Sequence, residues 1–184
     1  MLLETPDVKI GWGAQPFSLA DPDGEVVTLD QLHDDKPFLI AFICNHCPYV
    51  KAIADRLASD MRVLQAAGIA VVAINSNDYT YVPADSPPNM KSFAAQHDFS
   101  FPYLVDETQA VARAYDAVCT PDFFGFNAAR ELQYRGRLDS AGMNNPADRV
   151  PELVEAMTNI AATGTGPTQQ HPSIGCSIKW RDNA

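Results

Sequence analysis

The fold of this chain is decided by residues 38–47, FLIAFICNHC, in which an apolar run ends in two cysteines separated by two residues. The run from Phe38 to Ile43 has no polar alternation, which is typical of a strand covered on both faces of a parallel sheet. After the cysteines, apolar residues recur at helical spacing until Gly68, and a second apolar run covers residues 69–74. The segment therefore predicts a βαβ unit with both cysteines at its first strand-to-helix junction.

The spacing and position of Cys44 and Cys47 favour redox chemistry. Two thiols at this spacing can close into a small disulfide, and a helix N-terminus stabilises a thiolate, which is the reactive form. A structural zinc site normally needs a second close pair of cysteines or histidines. The other candidate ligands stand singly in the sequence: Cys119, Cys176, His33, His97 and His171. We therefore expect neither a metal nor another cofactor.

Composition restricts the compartment and the partners. The chain has 184 residues with 46% hydrophobic content, so residues 1–184 predict a single domain. The net charge of −10, without a run of basic residues, argues against a nucleic acid or an anionic membrane as partner. The first residues do not resemble a secretory signal, and no segment has the length of a membrane span. Four cysteines without such a signal favour a cytoplasmic protein with a catalytic disulfide.

The rest of the sequence predicts short elements around the βαβ unit. Residues 75–90 are polar and rich in proline, which indicates a surface excursion at a strand end. The tail, residues 163–184, contains Ile174, Ile178 and Trp180, which favour its docking on the domain. The other predicted elements are an N-terminal hairpin (17–29), a helix (90–97), a strand (101–105), a helix (107–115), a second hairpin (123–135) and a closing helix (150–160).

Three segments resemble a known family: FICNHCPYV (42–50), CTPDFF (119–124) and GCSIKW (175–180). They are similar to the peroxiredoxin-like redoxins of the alkyl hydroperoxide reductase and thiol-specific antioxidant superfamily. The resemblance implies a thioredoxin-like α/β fold, in which a central mixed β-sheet is flanked by helices and extended by an N-terminal β-hairpin and a C-terminal tail. It also implies a cis peptide bond at Thr120–Pro121, which would leave the backbone of Thr120 free to pair with an extended substrate.

The sequence departs from the peroxidase pattern of this superfamily. Cys47 and Pro48 occupy the peroxidatic position, but Cys44 stands where a threonine or serine is usual. Thr120–Pro121 lies at the approximate position of the buried arginine. Because that hydroxyl and that guanidinium polarise the peroxide bond, their replacement weakens the prediction of fast peroxide reduction.

The leading hypothesis is a thiol–disulfide oxidoreductase that uses Cys44 and Cys47 as its catalytic couple. Cys44, expected to be exposed, would attack a protein or small-molecule disulfide, and Cys47 would resolve the mixed disulfide. His46 would place an N–H or a positive charge near Cys44 and lower its pKa. Pro48 fits the first turn of the helix, and a cellular thiol reductant would restore the dithiol.

Two alternatives stay open. In an antioxidant peroxidase, Cys47 would attack a peroxide and Cys44 would resolve the sulfenic acid. In a copper-binding assembly factor, the two thiolates and His171 would hold Cu(I). Two further thiols need an assignment in either case. Cys119 is favoured as a small core residue, whereas Cys176 is either a mobile resolving thiol or part of a docked segment.

Overall fold

The computed structural model describes residues 1–7 and 9–181, which form ten strands and five α-helices. The strands are β1 (Leu2–Glu4), β2 (Ser18–Ala20), β3 (Val26–Thr28), β4 (Phe38–Phe42), β5 (Ala70–Asn75), β6 (Tyr103–Val105), β7 (Cys119–Thr120), β8 (Asp122–Phe126), β9 (Leu132–Gly136) and β10 (Ile174–Ser177). The helices are α1 (Leu29–His33), α2 (Pro48–Ala66), α3 (Pro87–Gln96), α4 (Ala110–Ala114) and α5 (Glu152–Thr163), and a 3₁₀ turn covers Pro83–Asp85. None of these described helices is both long and apolar enough to cross a bilayer.

Seven strands form a central mixed sheet in the order β3-β2-β6-β5-β4-β8-β9. Strands β4, β5 and β6 are parallel, and the other neighbours pair antiparallel. Apolar side chains of the helices pack on both faces, so the predicted thioredoxin-like α/β fold with its N-terminal hairpin is confirmed. Because parallel strands carry their carboxyl ends at one edge, the segments that follow β4 and β5 lie side by side.

Strand β4 joins the two layers of the core. All its residues are buried, and successive side chains point to opposite faces of the sheet. Leu39 and Ala41 belong to the cluster that contains the inner residues of α2, α3 and α5, whereas Phe38, Ile40 and Phe42 belong to the cluster of α1 and α4. Burial on both faces is the physical reason why this run contains no polar residue.

A second, small sheet has the order β1-β10-β7. Strand β10 pairs antiparallel with both neighbours, and Cys176 lies opposite Thr120 of β7. Just before β10, the Ser173 hydroxyl donates a hydrogen bond of 2.7 Å to the carbonyl oxygen of Pro121. Just after it, Ile178 is buried. These contacts hold residues 173–178 against β7 and the loop that precedes β8.

Two sequence predictions of the fold need correction. Residues 75–90 are predicted as a surface excursion, but several of their polar side chains are buried and hydrogen-bonded inside the molecule. The buried ones are Asn75, Ser76, Asn77, Asp78 and Asp85. Val150 is predicted on the inner face of the closing helix, yet it is exposed because α5 begins only at Glu152.

Candidate active site

The two cysteines lie where β4 passes into α2. Cys47 is the N-cap of α2, and Pro48 occupies the first helical position, where no backbone N–H is needed. The predicted strand-to-helix junction is therefore confirmed. Cys44 and Cys47 both have 0% of their surface exposed, so the expectation of an exposed Cys44 is wrong. Thr120 of β7 and Asp85, in the segment that follows β5, contact this junction.

Thr120 faces both sulfur atoms. The Thr120–Pro121 peptide bond is cis, as the family resemblance implies. The hydroxyl oxygen of Thr120 lies 3.1 Å from Cys44 Sγ, and its carbonyl oxygen lies 3.3 Å from Cys47 Sγ. The backbone of Thr120 is not free, however, because β10 pairs with β7 and takes the edge expected to receive an extended substrate.

Cys47, and not Cys44, is the more acidic thiol of the pair. A hydrogen bond from Cys44 lowers the pKa of Cys47 to about 4 against the effect of burial, and bonds from Cys176 and from the backbone of Val50 assist. Burial, the hydrogen bond to Cys47 and the negative charge of Asp85 raise the pKa of Cys44 well above its usual value. The prediction that Cys44 has the lower pKa is therefore wrong, because the contacts of Cys44 and Cys176 stabilise a charge on Cys47, whereas burial and Asp85 oppose one on Cys44.

Asp85 is a candidate functional residue that the sequence prediction missed. Its buried carboxylate accepts hydrogen bonds from the backbone N–H groups of Asn45, at 2.7 Å, and His46, at 3.3 Å. Its second oxygen lies 2.6 Å from His46 Nδ1 and accepts a bond of 2.8 Å from Asn77. Although burial acts against the charge, the bonds from His46 and Asn77 lower the pKa of Asp85. The carboxylate thus fixes the turn between the two cysteines.

His46 therefore pairs with Asp85 instead of facing open solvent. One ligand atom each from Cys44, His46 and Asp85 lie within 4.8 Å of one another, and in the described part of the chain this is the group that could hold a metal ion. His171 does not belong to it, because its Nδ1 atom lies 3.2 Å from Glu152 on α5. The copper ligand set that the sequence left as an alternative is thus not assembled.

The sequence contains a signal for part of this network. A polar run, Asn75 to Asp78, begins at the end of β5, beside the strand that leads to the cysteines. Since carboxyl ends of neighbouring parallel strands meet at one edge, polar residues there are expected next to the cysteine pair. Asp85 itself could not be chosen this way, because its place depends on the path of the loop after that run.

The two remaining cysteines differ in their surroundings. Cys119 is fully buried in β7, and burial together with the charge of Asp122 raises its pKa to about 12, which suits an unreactive core residue. Cys176 is partly exposed and packs against the core cluster that contains Cys44 and Cys47. Burial and the neighbouring Cys47 raise the pKa of Cys176 to about 11. Three of the four thiols therefore form one cluster.

An open groove of about 330 Å³ borders this cluster. Its lining includes Tyr49, Pro121 and Ile174 together with the loop of residues 137–144. Tyr49 follows Pro48 at the start of α2, and Pro121 belongs to the cis peptide, so the groove lies beside the cysteine site.

The comparison with known proteins agrees with this geometry. The chain is 29% identical to the thiol-disulfide oxidoreductase YkuV of Bacillus subtilis strain 168 over 119 residues, which is 61% of this chain and 73% of that protein. A solved structure of an uncharacterized conserved protein from Geobacillus kaustophilus has 44% identity and a TM-score of 0.93, covering 100% of this chain and 98% of that one. A hypothetical protein from Sinorhizobium meliloti 1021 has 38% identity and a TM-score of 0.91, covering 98% and 99%. The AhpC/TSA family profile matches residues 10–136, and the chain belongs to this family.

Proposed function

We propose that this chain is a thiol–disulfide oxidoreductase whose redox couple consists of Cys44 and Cys47. The observation that carries the proposal is that both sulfurs, buried at the N-terminus of α2, contact one residue: Thr120 lies 3.1 Å from Cys44 Sγ and 3.3 Å from Cys47 Sγ. A stabilised thiolate in contact with a second thiol is the arrangement that forms and breaks disulfides. The similarity to a thiol-disulfide oxidoreductase supports the same class of reaction.

Cys47 is the attacking sulfur in this proposal, which reverses the roles predicted from the sequence. Its thiolate attacks one sulfur of a substrate disulfide, and the other substrate sulfur leaves as a thiolate. Once Cys47 is bonded, only burial and Asp85 still oppose a Cys44 thiolate, and the Thr120 hydroxyl stabilises it. Cys44 then attacks Cys47, closes the internal disulfide and releases the reduced substrate.

The pair of Asp85 and His46 is suited to accept the proton that Cys44 must lose. One atom of Asp85, one ring nitrogen of His46 and the Cys44 sulfur all lie within 4.8 Å of one another. When Nδ1 of His46 carries the proton and donates a hydrogen bond to Asp85, Nε2 is the nitrogen that can accept a proton. In this role His46 acts on Cys44 as a proton acceptor, with Asp85 fixing its ring.

The groove beside the cis peptide offers a place for the substrate. Its lining by Tyr49, Pro121 and Ile174 fits an apolar stretch of a protein disulfide, and a small-molecule disulfide would need less of it. A cellular thiol reductant restores the dithiol in this proposal. A reducing cytoplasm is the compartment in which the four free cysteines would be maintained.

Two experiments test this function. Protein oxidised with glutathione disulfide is mapped after differential alkylation, and we expect a Cys44–Cys47 disulfide. In an insulin reduction assay driven by dithiothreitol, Cys47→Ser should abolish activity. The double variant Cys44→Ser/Cys176→Ser should accumulate a mixed disulfide with the substrate, because no neighbouring thiol can resolve it. Cys119→Ser is the matched control, because this buried thiol takes no part in the proposed exchange, and it should retain activity. Full activity in Cys47→Ser would refute the proposal.

A thiol peroxidase is the second candidate, favoured by the low pKa of Cys47 at the position that resembles the peroxidatic one. Among the described residues, however, no arginine or lysine donates a hydrogen bond to Cys47, and the buried Arg135 is bound to Asp122 instead. We therefore expect slow reaction with hydrogen peroxide. Rapid peroxide consumption that is lost in Cys47→Ser and retained in Cys119→Ser would favour the peroxidase.

A further inference from the structure

Strand β10 places a third thiol, Cys176, next to the buried pair. It does so by pairing with the edge of β7, and bound peptides pair with strand edges in the same way. Cys176 lies opposite Thr120, whose hydroxyl and carbonyl oxygens contact Cys44 and Cys47. An extended substrate pairs with a free strand edge through the same type of backbone hydrogen bonds. Strand β10 therefore holds Cys176 where a bound substrate would present its own sulfur.

The position of Cys176 is fixed from both ends of the strand. Ser173 is bonded to Pro121 before it, and after it the N–H of Ile178 donates to Val118 at 3.0 Å. Within the strand, the backbone of Gly175 approaches Thr120 so closely that an added Cβ would lie 1.9 Å from the Thr120 carbonyl oxygen. A glycine beside Cys176 thus permits the close contact that aligns this thiol with Cys47.

Exposure separates Cys176 from the other two thiols of the cluster. Neither Cys44 nor Cys47 has exposed surface, so a disulfide between them is less accessible to an external thiol than a disulfide that includes Cys176. Cys176 is partly exposed, lies opposite Thr120, whose carbonyl oxygen contacts Cys47, and packs against the core cluster that contains the buried couple. It is therefore the sulfur of this cluster that faces both the buried couple and the outside.

We propose that Cys176 is a third redox residue, which carries disulfide exchange between the buried Cys44–Cys47 couple and an external dithiol reductant. This inference rests on the proposed function. In the oxidised protein, the sulfur of Cys176 attacks the sulfur of Cys47, and the bond between Cys47 and Cys44 breaks. Cys44 leaves and takes up the proton that Cys176 has lost, so the step moves the disulfide without net oxidation or reduction.

The external reductant then acts on the Cys47–Cys176 disulfide. One reductant thiolate attacks the sulfur of Cys176, and Cys47 leaves as a thiolate. The second thiol of the reductant then attacks the reductant sulfur that is bonded to Cys176. This closes the reductant disulfide and releases Cys176, which takes up the proton of that second thiol. Two electrons have then entered the protein.

The electrostatics favour the second step through its leaving group, Cys47, and the first step through its nucleophile, Cys176. A thiol of low pKa leaves fastest, and Cys47, with a pKa of about 4, is the most acidic of the cluster. Burial and the Cys47 thiolate raise the pKa of Cys176 in the reduced protein, whereas Lys179 lowers it. When Cys47 is oxidised, its thiolate is absent and no longer raises the pKa of Cys176. Cys176 is therefore a better nucleophile in the oxidised protein, where it attacks Cys47, than in the reduced protein.

The first test asks whether the inferred disulfide forms. Cys44→Ser protein is treated with glutathione disulfide and mapped by mass spectrometry, and we expect a Cys47–Cys176 disulfide within the chain. The matched control is the triple variant Cys44→Ser, Cys176→Ser and Ser177→Cys. It moves the thiol of β10 to the opposite face of the strand, so a disulfide with Cys47 should not form. A folded Cys44→Ser protein without the Cys47–Cys176 bond would overturn the inference.

The second test measures the exchange in the complete couple. Oxidised Cys176→Ser protein should retain its Cys44–Cys47 disulfide, but dithiothreitol should reduce it roughly tenfold more slowly or worse than in the unmodified chain. Serine keeps a hydrogen-bond donor beside Cys47, and circular dichroism verifies the fold. An unchanged rate would refute the role of Cys176 and leave the oxidoreductase proposal intact, whereas a chain that forms no Cys44–Cys47 disulfide would refute that proposal itself.

Discussion

One carboxylate oxygen of Asp85 lies 2.6 Å from Nδ1 of His46, while the other accepts the backbone N–H of Asn45 at 2.7 Å. A buried acid from the loop after β5 thus sets the shape of the turn between Cys44 and Cys47. Its negative charge also opposes a thiolate at Cys44, whose pKa is raised first by burial. The negative charge of the pair is therefore kept on Cys47.

Replacing Asp85 with asparagine should weaken both its hold on the turn between the cysteines and its electrostatic effect on Cys44. Because asparagine is neutral and has one acceptor oxygen, we expect Asp85→Asn to lower the pKa of Cys44 and to reduce the free energy of unfolding by about 1–3 kcal/mol. The pKa is measured from thiolate absorbance in the Cys47→Ser background, and the stability by urea denaturation. An unchanged Cys44 pKa would contradict the electrostatic role given to Asp85.

The chain offers a matched control on the surface of α2. Asp55 forms the same kind of pair, with an oxygen 2.7 Å from Nδ1 of His97, but its side chain is 88% exposed. Solvent screens such a pair, so Asp55→Asn should cost less than about 1 kcal/mol and leave the thiol titration unchanged.

The low pKa of Cys47 predicts how the stability of the reduced protein depends on pH. A thiol whose pKa falls from about 8.5 in the unfolded chain to about 4 in the folded one stabilises the fold above pH 8.5. This contribution is lost progressively as the pH falls from about 8.5 to about 4. Urea denaturation of the reduced protein, compared with Cys47→Ser at several pH values, measures it. A difference that does not vary with pH would show that Cys47 is an ordinary thiol.

The sequence could predict the junction of β4 and α2 because its signals are local. Burial on both faces leaves a run without polar residues, and the helix that follows Cys47 shows its own period. The order of the two thiol pKa values was predicted wrongly, because it depends on contacts from Asp85 and Cys176, which are distant in the sequence. The backbone of Thr120 was predicted to be free for a substrate for the same reason: the strand that covers it, β10, is distant in the sequence.

A buried ion pair beside the cis peptide should make stability depend on pH in the opposite sense. Asp122 Oδ2 lies 2.8 Å from the guanidinium of Arg135, and burial raises the pKa of Asp122 to about 7 although Arg135 opposes this. An acid with a raised pKa contributes its full stability below its unfolded pKa of about 4 and loses it as the pH rises through about 7.

Arg135→Met removes the cation that compensates Asp122. We expect it to cost about 3–5 kcal/mol of unfolding free energy near pH 8, and clearly less near pH 5, where Asp122 is protonated. Urea denaturation at both pH values gives the comparison. Arg62→Met is the control, since Arg62 pairs with the exposed Asp98 and should change stability by about 1 kcal/mol or less at either pH. An equal cost of Arg135→Met at both pH values would contradict the assignment of the charge to Asp122.

Gly175 controls the approach of β10 to the cysteine site. In Gly175→Ala, the new Cβ would meet the carbonyl oxygen of Thr120 at 1.9 Å, so the strand must move away and carry Cys176 with it. We expect two results: a lower yield of the Cys47–Cys176 disulfide in the Cys44→Ser background, and a higher pKa of Cys47 in the otherwise unmodified chain, because the hydrogen bond from Cys176 is lost. Gly13→Ala is the matched control, because a Cβ there meets no atom within 4 Å. If Gly175→Ala and Gly13→Ala gave the same disulfide yield and the same Cys47 pKa, the close pairing of β10 with β7 would not be what holds Cys176 at the site.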